Sequence, residues 1–356
     1  MQRIHVTKTF MPPFEDYEPY LRQLWDTAFL TNQGPLLQTF EQRAKDYLAV
    51  PNFQFVGNGT IALQLALRAL DITGEVITTP FSYVATTSSI MWERCTPVFV
   101  DIEPDSLCMD VAKVEAAITD KTQAIMPVHV FGFPCDVEKI EQLARKHNLK
   151  VIYDAAHAFG VEYKGTSLLN FGDVSTCSFH STKLFHTIEG GCIVTSDPLL
   201  NQKIDLMKRF GHNGDEHLTL GINAKANEFQ AAMGLANLKY VDSNIEKRRQ
   251  VSEWYDELLD GSVRKPRPKV DYKPNHGYYP VIFQTEEHLL EVMGRLADSG
   301  IYPRRYFYPS LNSLWYVPPR QSCPISEDIA KRIACLPLYV GLEKQTVVRI
   351  CEIINA

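Results

Sequence analysis

No apolar run in the 356 residues approaches the roughly 18 to 20 that a membrane-spanning helix needs. The opening MQRIHVTKTF lacks the hydrophobic stretch of a secretion signal. Basic residues form no stripe and the net charge is −6, so neither nucleic acid nor an anionic membrane is an expected partner. The eight cysteines include no CxxC pair and no zinc spacing, and no metal site is expected. Most of them lie in apolar contexts and read as reduced, buried thiols. Repeats and low-complexity linkers are missing, as are the Lys-Ser/Thr of a triphosphate loop and the full GxGxxG of a dinucleotide turn. What remains is an ordinary cytoplasmic enzyme or binding module.

With 45% apolar and 22% charged residues, the chain can bury a large core and one smaller lobe. Helical patterns at Glu15–Ala28, Thr39–Leu48, Ile61–Leu70, Ala85–Trp92, Asp110–Ala117 and Asp136–His147 alternate with strand-like runs. Those runs are Phe53–Thr60, Glu75–Thr79, Pro97–Ile102, Ala124–Val130 and Lys150–Ala155. Continuously apolar strands separated by helices predict an α/β fold with a parallel sheet covered on both faces. A helical stretch follows Ala226 to about Leu259. The proline-rich VRKPRPKVDYKPNHG (263–277) then marks a boundary, giving a large domain over 1–262 and a small α+β domain over 263–356.

Three places carry chemistry. In GDVSTCSFHSTKLFHTIEGG (172–191), Lys183 sits in a short polar segment between an apolar strand and a Glu-Gly-Gly turn. Such rigid flanks can present one desolvated amine, and only a neutral amine attacks a carbonyl. Cys177 lies nearby only incidentally. In GNGTIALQLAL (57–67), a tight turn opens a helix directly after a strand. Its N–H groups and the Thr60 hydroxyl suit a phosphate, or the segment is simply a capped helix. In VIYDAAHAFG (151–160), Asp154 ends a buried strand, where a carboxylate needs a cationic partner. Asp101 ends the similar strand PVFVD and could equally be a cap; the small residues and His157 after Asp154 favour a ring-binding role for Asp154. Tyr83 in PFSYVATTSS is either core or a flat surface that stacks on a ring.

Taken together with LTNQGPLLQTFE, VFVDIEPDSLCMD, PVHVFGFPCD, NEFQAAMGL and CLPLYVGL, these motifs cover nearly the whole chain. The chain is identified by them as resembling the DegT/StrS sugar aminotransferase family, of the pyridoxal phosphate-dependent type I fold. The resemblance implies a large domain with a mostly parallel sheet, a small C-terminal domain and pyridoxal 5′-phosphate as cofactor. It implies that Lys183 forms the Schiff base and that Asp154 pairs with the pyridine nitrogen. Tyr83 would stack on the ring, His157 would reach its hydroxyl, and Gly59, Thr60 and Ser178 would hold the phosphate. Asn223 would complete the phosphate site of a neighbouring subunit in a homodimer. Two departures stand out: the family often has glutamine in place of His157, and tyrosine and arginine in place of Ala224 and Lys225.

The implied reaction moves an amino group from L-glutamate to a ketone on a nucleotide-linked sugar. His180 and Glu189, in SFHSTK and the EGG turn, resemble enzymes that aminate the 4-keto carbon rather than the 3-keto carbon. The look of FMPPFEDYEPYLRQLW points toward dTDP-4-keto-6-deoxy-D-glucose, with the product serving surface polysaccharide such as the O-antigen of lipopolysaccharide. His180 could face substrate. In IYPRRYFYPSLN, Arg304, Arg305, Tyr306 and Tyr308 could meet the sugar nucleotide's phosphates or the donor carboxylate, or form a solvated edge of the small lobe; Arg305 and Tyr308 are taken as substrate residues. His186 reads as packing, and His212 and Asn213 as a mobile loop near the site. A related dehydratase would carry histidine at position 183, and a non-catalytic member would have lost Lys183 or Asp154.

Overall fold

The computed structural model describes residues 3–268, 270–317 and 321–356. Met1, Gln2 and Lys269, which belong to the N-terminal and proline-rich stretches read above, lie outside the described residues. A seven-stranded sheet runs through the molecule in the order Gln54–Val56, Gly191–Val194, Val174–Ser178, Lys150–Asp154, Thr122–Met126, Glu75–Thr78, Thr96–Phe99. Gly191–Val194 alone runs opposite to the other six strands. Its direction follows from its connection: no crossover helix separates it from Val174–Ser178, and the 179–190 segment between them is a wide hairpin. That hairpin carries Lys183, and Phe179 N–H donates to Gly190 O at 2.8 Å across its base.

Alternation along the strands explains why both faces are covered. Val151 and Tyr153 enter one core with Ile77, Ile125 and Cys177, while Ile152 enters another with Val76, Ala124, Met126 and Ile193. The second core is closed by Ala62, Leu63, Leu65 and Ala66 of the Gly59–Ala69 helix and by Leu200 and Ile204 of Pro198–Met207. A third core joins Val251 and Tyr255 of the Val241–Leu258 helix to Tyr279, Val281, Leu289, Val292, Val347 and Ile350. Residues Ile4–His5 pair in parallel with Ile301–Tyr302, so the chain's first strand lies on its C-terminal part.

Several element bounds differ from the sequence expectation for physical reasons. The helix expected at Thr39–Leu48 starts at Pro35, because the Glu228 carboxylate accepts from Leu36 and Leu37 N–H at 2.9 and 3.0 Å. A cap supplied from 191 and 192 positions away leaves no local signal. The Asp110–Ala117 helix is a short α-turn, Val111–Val114, followed by a 3₁₀ turn at Glu115–Ala117. The strand expected at Ala124–Val130 ends at Met126, where Pro127 removes a ladder donor. The stretch after Ala226 is two helices, Glu228–Leu238 and Val241–Leu258.

Candidate active site

At the carboxyl edge of the sheet lies a cavity of about 630 Å³. Its lining brings together Gly59, Thr60, Tyr83, Asp154, His157, Ser178, His180 and Lys183, from the phosphate-type turn, the strand ends and the hairpin. Ligand crevices of open α/β sheets form at this edge because the loops there leave room above the strand ends.

Lys183 is held by its own loop, its N–H donating to His180 O at 2.9 Å. The amine donates to the Tyr278 hydroxyl at 3.1 Å. Burial pulls the amine below its ordinary pKa, opposed by the nearby Tyr306, Asp154, Cys177 and Tyr83. Tyr278 is itself pushed well above the usual phenol range, chiefly by burial, so its hydroxyl keeps its proton. The result is an amine with an enlarged neutral fraction, aimed by one phenol.

Asp154 is 6% exposed. Burial pushes its carboxyl above the ordinary range, while bonds from Thr86, Ala156 N–H and the charge of Lys183 pull it back. Thr86 Oγ1 donates to Oδ2 at 2.7 Å and Ala156 N–H to Oδ1 at 3.2 Å. Ser82 Oγ lies 2.7 Å from Thr86 Oγ1. Since the Thr86 proton is committed to the carboxylate, Ser82 is the donor in that contact, and a two-hydroxyl chain runs from the protein into Asp154. Asp101, the alternative carboxylate, caps the Pro324–Arg332 helix through Ile325 and Ser326 N–H, both at 2.9 Å, and takes no part in the cavity.

The Phe131 N–H donates to His157 Nδ1 at 3.0 Å, which assigns the ring proton to Nε2. Burial holds this imidazole well below its ordinary pKa, so it is neutral and presents one N–H donor. The Gly59–Ala69 helix is capped by Asn58, whose side chain accepts from Ile61 N–H at 2.9 Å. Gly59 has no spare room: a Cβ there would come within 2.9 Å of Ser178 Cβ. Gly191 backs the same turn, and a Cβ on it would meet Asn58 C at 2.7 Å. Gly59, Thr60 and Ser178 thus lie together on the cavity wall at the start of a helix, a position suited to an anion. Tyr83 is not core: it is 56% exposed and lines the cavity. Cys177 also lines it, but burial pushes its thiol up to about 12, so it stays protonated.

The remaining candidates separate. His180 lines the cavity, with Nδ1 2.8 Å from Thr182 Oγ1 and Nε2 3.5 Å from Glu189 Oε1. Arg304 and Tyr306 line it as well. Arg305 and Tyr308 do not: Arg305 donates to Glu286 Oε1 and Lys331 O, both at 2.6 Å, and stacks on Tyr308 at 3.6 Å. Asn223 is exposed and off the cavity of its own chain, bridging to Arg209. His186 is buried against Phe10 O at 2.6 Å, and His212 sits in the His212–Asn213/Glu216–His217 hairpin away from the lining. Sequence reasoning missed Tyr278 and Thr86. Thr86, one helical turn after Tyr83 and Ser82, could have been found by asking which hydroxyl of FSYVATT faces the Asp154 strand end; Tyr278 had no local signal.

A half-desolvated lysine amine facing a buried carboxylate, beside a cradle for a phosphate, is equipment for capturing a carbonyl and stabilising the electron pair left by a lost proton. Moving an amino group is one reaction that such equipment serves. The chain belongs to the DegT/DnrJ/EryC1/StrS aminotransferase family, whose model matches residues 15–355. It is 40% identical over 347 residues to a dTDP-4-amino-4,6-dideoxy-D-glucose transaminase of Shigella dysenteriae, covering 95% of each chain. The crystal structure of DesI in the presence of its TDP-sugar product matches with a TM-score of 0.94 at 31% identity, covering 100% of this chain and 93% of that one. A putative sugar aminotransferase of Streptococcus pneumoniae, solved in its PLP form, matches with a TM-score of 0.90 at 25% identity over 98% of each chain. The protein is a sugar aminotransferase. Among the described residues no cluster suited to a metal ion occurs, and no helix is long and apolar enough to cross a membrane.

Proposed function

We propose that the cavity takes pyridoxal 5′-phosphate and that the enzyme moves the amino group of L-glutamate to C4 of dTDP-4-keto-6-deoxy-D-glucose. The buried Asp154 carries the cofactor reading, because a carboxylate this enclosed asks for a cation and a protonated pyridine nitrogen is one. The donor set fits the rest of the molecule: a helix N-terminus with Gly59, Thr60 and Ser178 for the phosphate, His157 Nε2–H for the ring oxygen, Tyr83 for a ring face, and Lys183 for the carbonyl. The bound cofactor supplies a carbonyl that captures amines and a ring that stores the electron pair released at the substrate carbon. Lys183, once its amine is free, is placed to take the proton from the donor's α-carbon and later to deliver one to the sugar carbon. Tyr278 holds that amine in line between the two transfers, and Asp154 keeps positive charge on the ring nitrogen.

The sugar and its C4 site are supported by the Shigella relative's name and by His180 and Glu189 at the cavity wall. The division into a large part, 1–262, and a small part, 263–356, is proposed with it, the cavity lying where Tyr278, Arg304 and Tyr306 meet the sheet edge. A second copy is proposed to bring its own Asn223 to the cradle; exposed Trp25, Leu220 and Ile222 are apolar surface suited to pairing. Eight free, buried cysteines suit a reducing cytoplasm, from which the product would enter surface polysaccharide such as O-antigen. The test is incubation of the protein with pyridoxal phosphate, L-glutamate and the dTDP-4-keto sugar. The expected product carries nitrogen at C4 with the gluco couplings at H4 by NMR, and sedimentation of the same sample gives a two-chain particle. No amino sugar from the 4-keto compound, with the 3-keto isomer aminated in its place, would overturn the substrate assignment.

Thr86 gives a more local prediction. Its hydrogen bond lowers the Asp154 pKa, so Thr86→Val raises it further and the carboxylate neutralises at a higher pH. A bond to a charged acceptor is worth about 1.5 to 3 kcal/mol. Fluorescence titration should therefore show cofactor affinity at neutral pH about 10- to 100-fold weaker, with the acid loss of binding moved upward; Thr86→Ser should restore most of both.

A further inference from the structure

Arg304 and Arg305 are neighbours in sequence with opposite situations. The Arg305 guanidinium is spent on Glu286, Lys331 O and the face of Tyr308. Arg304 has its backbone clamped to Cys335 on both sides, N–H to O at 3.2 Å and Cys335 N–H back to its carbonyl at 2.8 Å. Its guanidinium carbon lies 4.8 Å over the Tyr306 ring, and among the described residues it forms no ion pair with a carboxylate. It lines the cavity that holds Lys183 and Asp154, and its charge is close enough to lower the pKa of both Tyr278 and Tyr306. Among the described lining residues it is the only arginine and Lys183 the only lysine, beside the two histidines His157 and His180.

A guanidinium never loses its charge and offers two parallel N–H donors to a pair of anionic oxygens. Stacking on Tyr306 and the backbone clamp reduce the rotamers it must give up on binding. We propose that Arg304 is the residue that fixes the anionic end of the substrate in this cavity, either the carboxylate of the amino donor or the diphosphate of the nucleotide sugar. The proposal rests on the aminotransferase reading above but names the residue that reading leaves open.

The test uses two non-reacting probes on the cofactor-loaded protein, glutarate for a dicarboxylate donor and inorganic pyrophosphate for a diphosphate, each titrated by calorimetry. Arg304→Met keeps the stem and removes the charge, and it should raise the dissociation constant of one probe by tenfold or more. Arg304→Lys should recover part of that loss, and Arg305→Met, removing the same charge one residue away, should leave both constants within about twofold. The probe that responds identifies the source of the anion. If Arg304→Met leaves both constants unchanged, or the wild type binds neither probe, the proposal is overturned. Failure of the functional reading is seen separately, as wild-type protein that binds both probes yet forms no amino sugar from glutamate and the keto sugar.

Discussion

Lys183→Ala should lose amino transfer by about 10³-fold or more, because the single amine both captures the carbonyl and shuttles the proton, and proton transfer by a placed side chain alone is worth about 10² to 10⁴. Borohydride treatment followed by intact mass should add one cofactor to the wild type and none to the variant. The fold should persist: among the described residues the Lys183 side chain makes a single hydrogen bond, to Tyr278, and the 179–190 hairpin is held by backbone bonds at Phe179 and Thr187. A variant that keeps even a tenth of the wild-type rate would remove Lys183 from the centre of the mechanism.

Asp154→Asn is expected to be nearly as severe in rate and opposite in stability. The amide oxygen can still accept from Ala156 N–H while its NH2 donates to Thr86 Oγ1, whose proton then turns to Ser82, but it carries no charge to hold a protonated ring nitrogen, so transfer should fall by about two to three orders of magnitude and cofactor binding by one to two. Without cofactor, the folded protein binds this proton to a higher pH than the unfolded chain does, since burial raises the carboxyl. Stability from this group is therefore present at low pH and lost as pH rises from the ordinary carboxylate range through the raised value. At neutral pH the cofactor-free Asn variant should melt at the wild-type temperature or above it, whereas the cofactor-loaded wild type should melt higher than both. A cofactor-free variant that is clearly less stable than wild type would mean the carboxylate already has a sufficient partner within the chain.

The sheet and the first ring of site residues were legible because each is announced locally. Lys150–Asp154 reads as a buried strand because Val151, Ile152 and Tyr153 run together just before a small-residue turn, and Lys183 stands out because its polar segment interrupts two strands. The phosphate-type turn is punctuated by Gly57 and Gly59 directly before an apolar helix. What escaped depends on chain folded back from afar. Tyr278 reaches Lys183 across 95 positions, and Glu228 caps the Pro35–Leu48 helix across 192. Arg304 and Arg305 are alike in composition and context; only the backbone register with Cys335 and the presence of Glu286 on the preceding helix separate a cavity-facing charge from a structural one.

Gly191 is in register with Val56 on one side and with Ser178 on the other. The turn that ends one of those strands and the lysine loop that follows the other are thus spaced by two ladder steps, about 4.8 Å each, and Asp154 adds one more through its register with Thr176. The distance between the cradle and the carboxylate is therefore a property of the sheet's repeat, and the amine hangs from the same repeat on the 179–190 hairpin. Such a ruler does not stretch gradually: loops around it can lengthen, shorten or breathe while the spacing holds, and amide exchange at Cys177, Asp154 and Cys192 should be as slow as global unfolding, with activity lost only when the sheet itself comes apart.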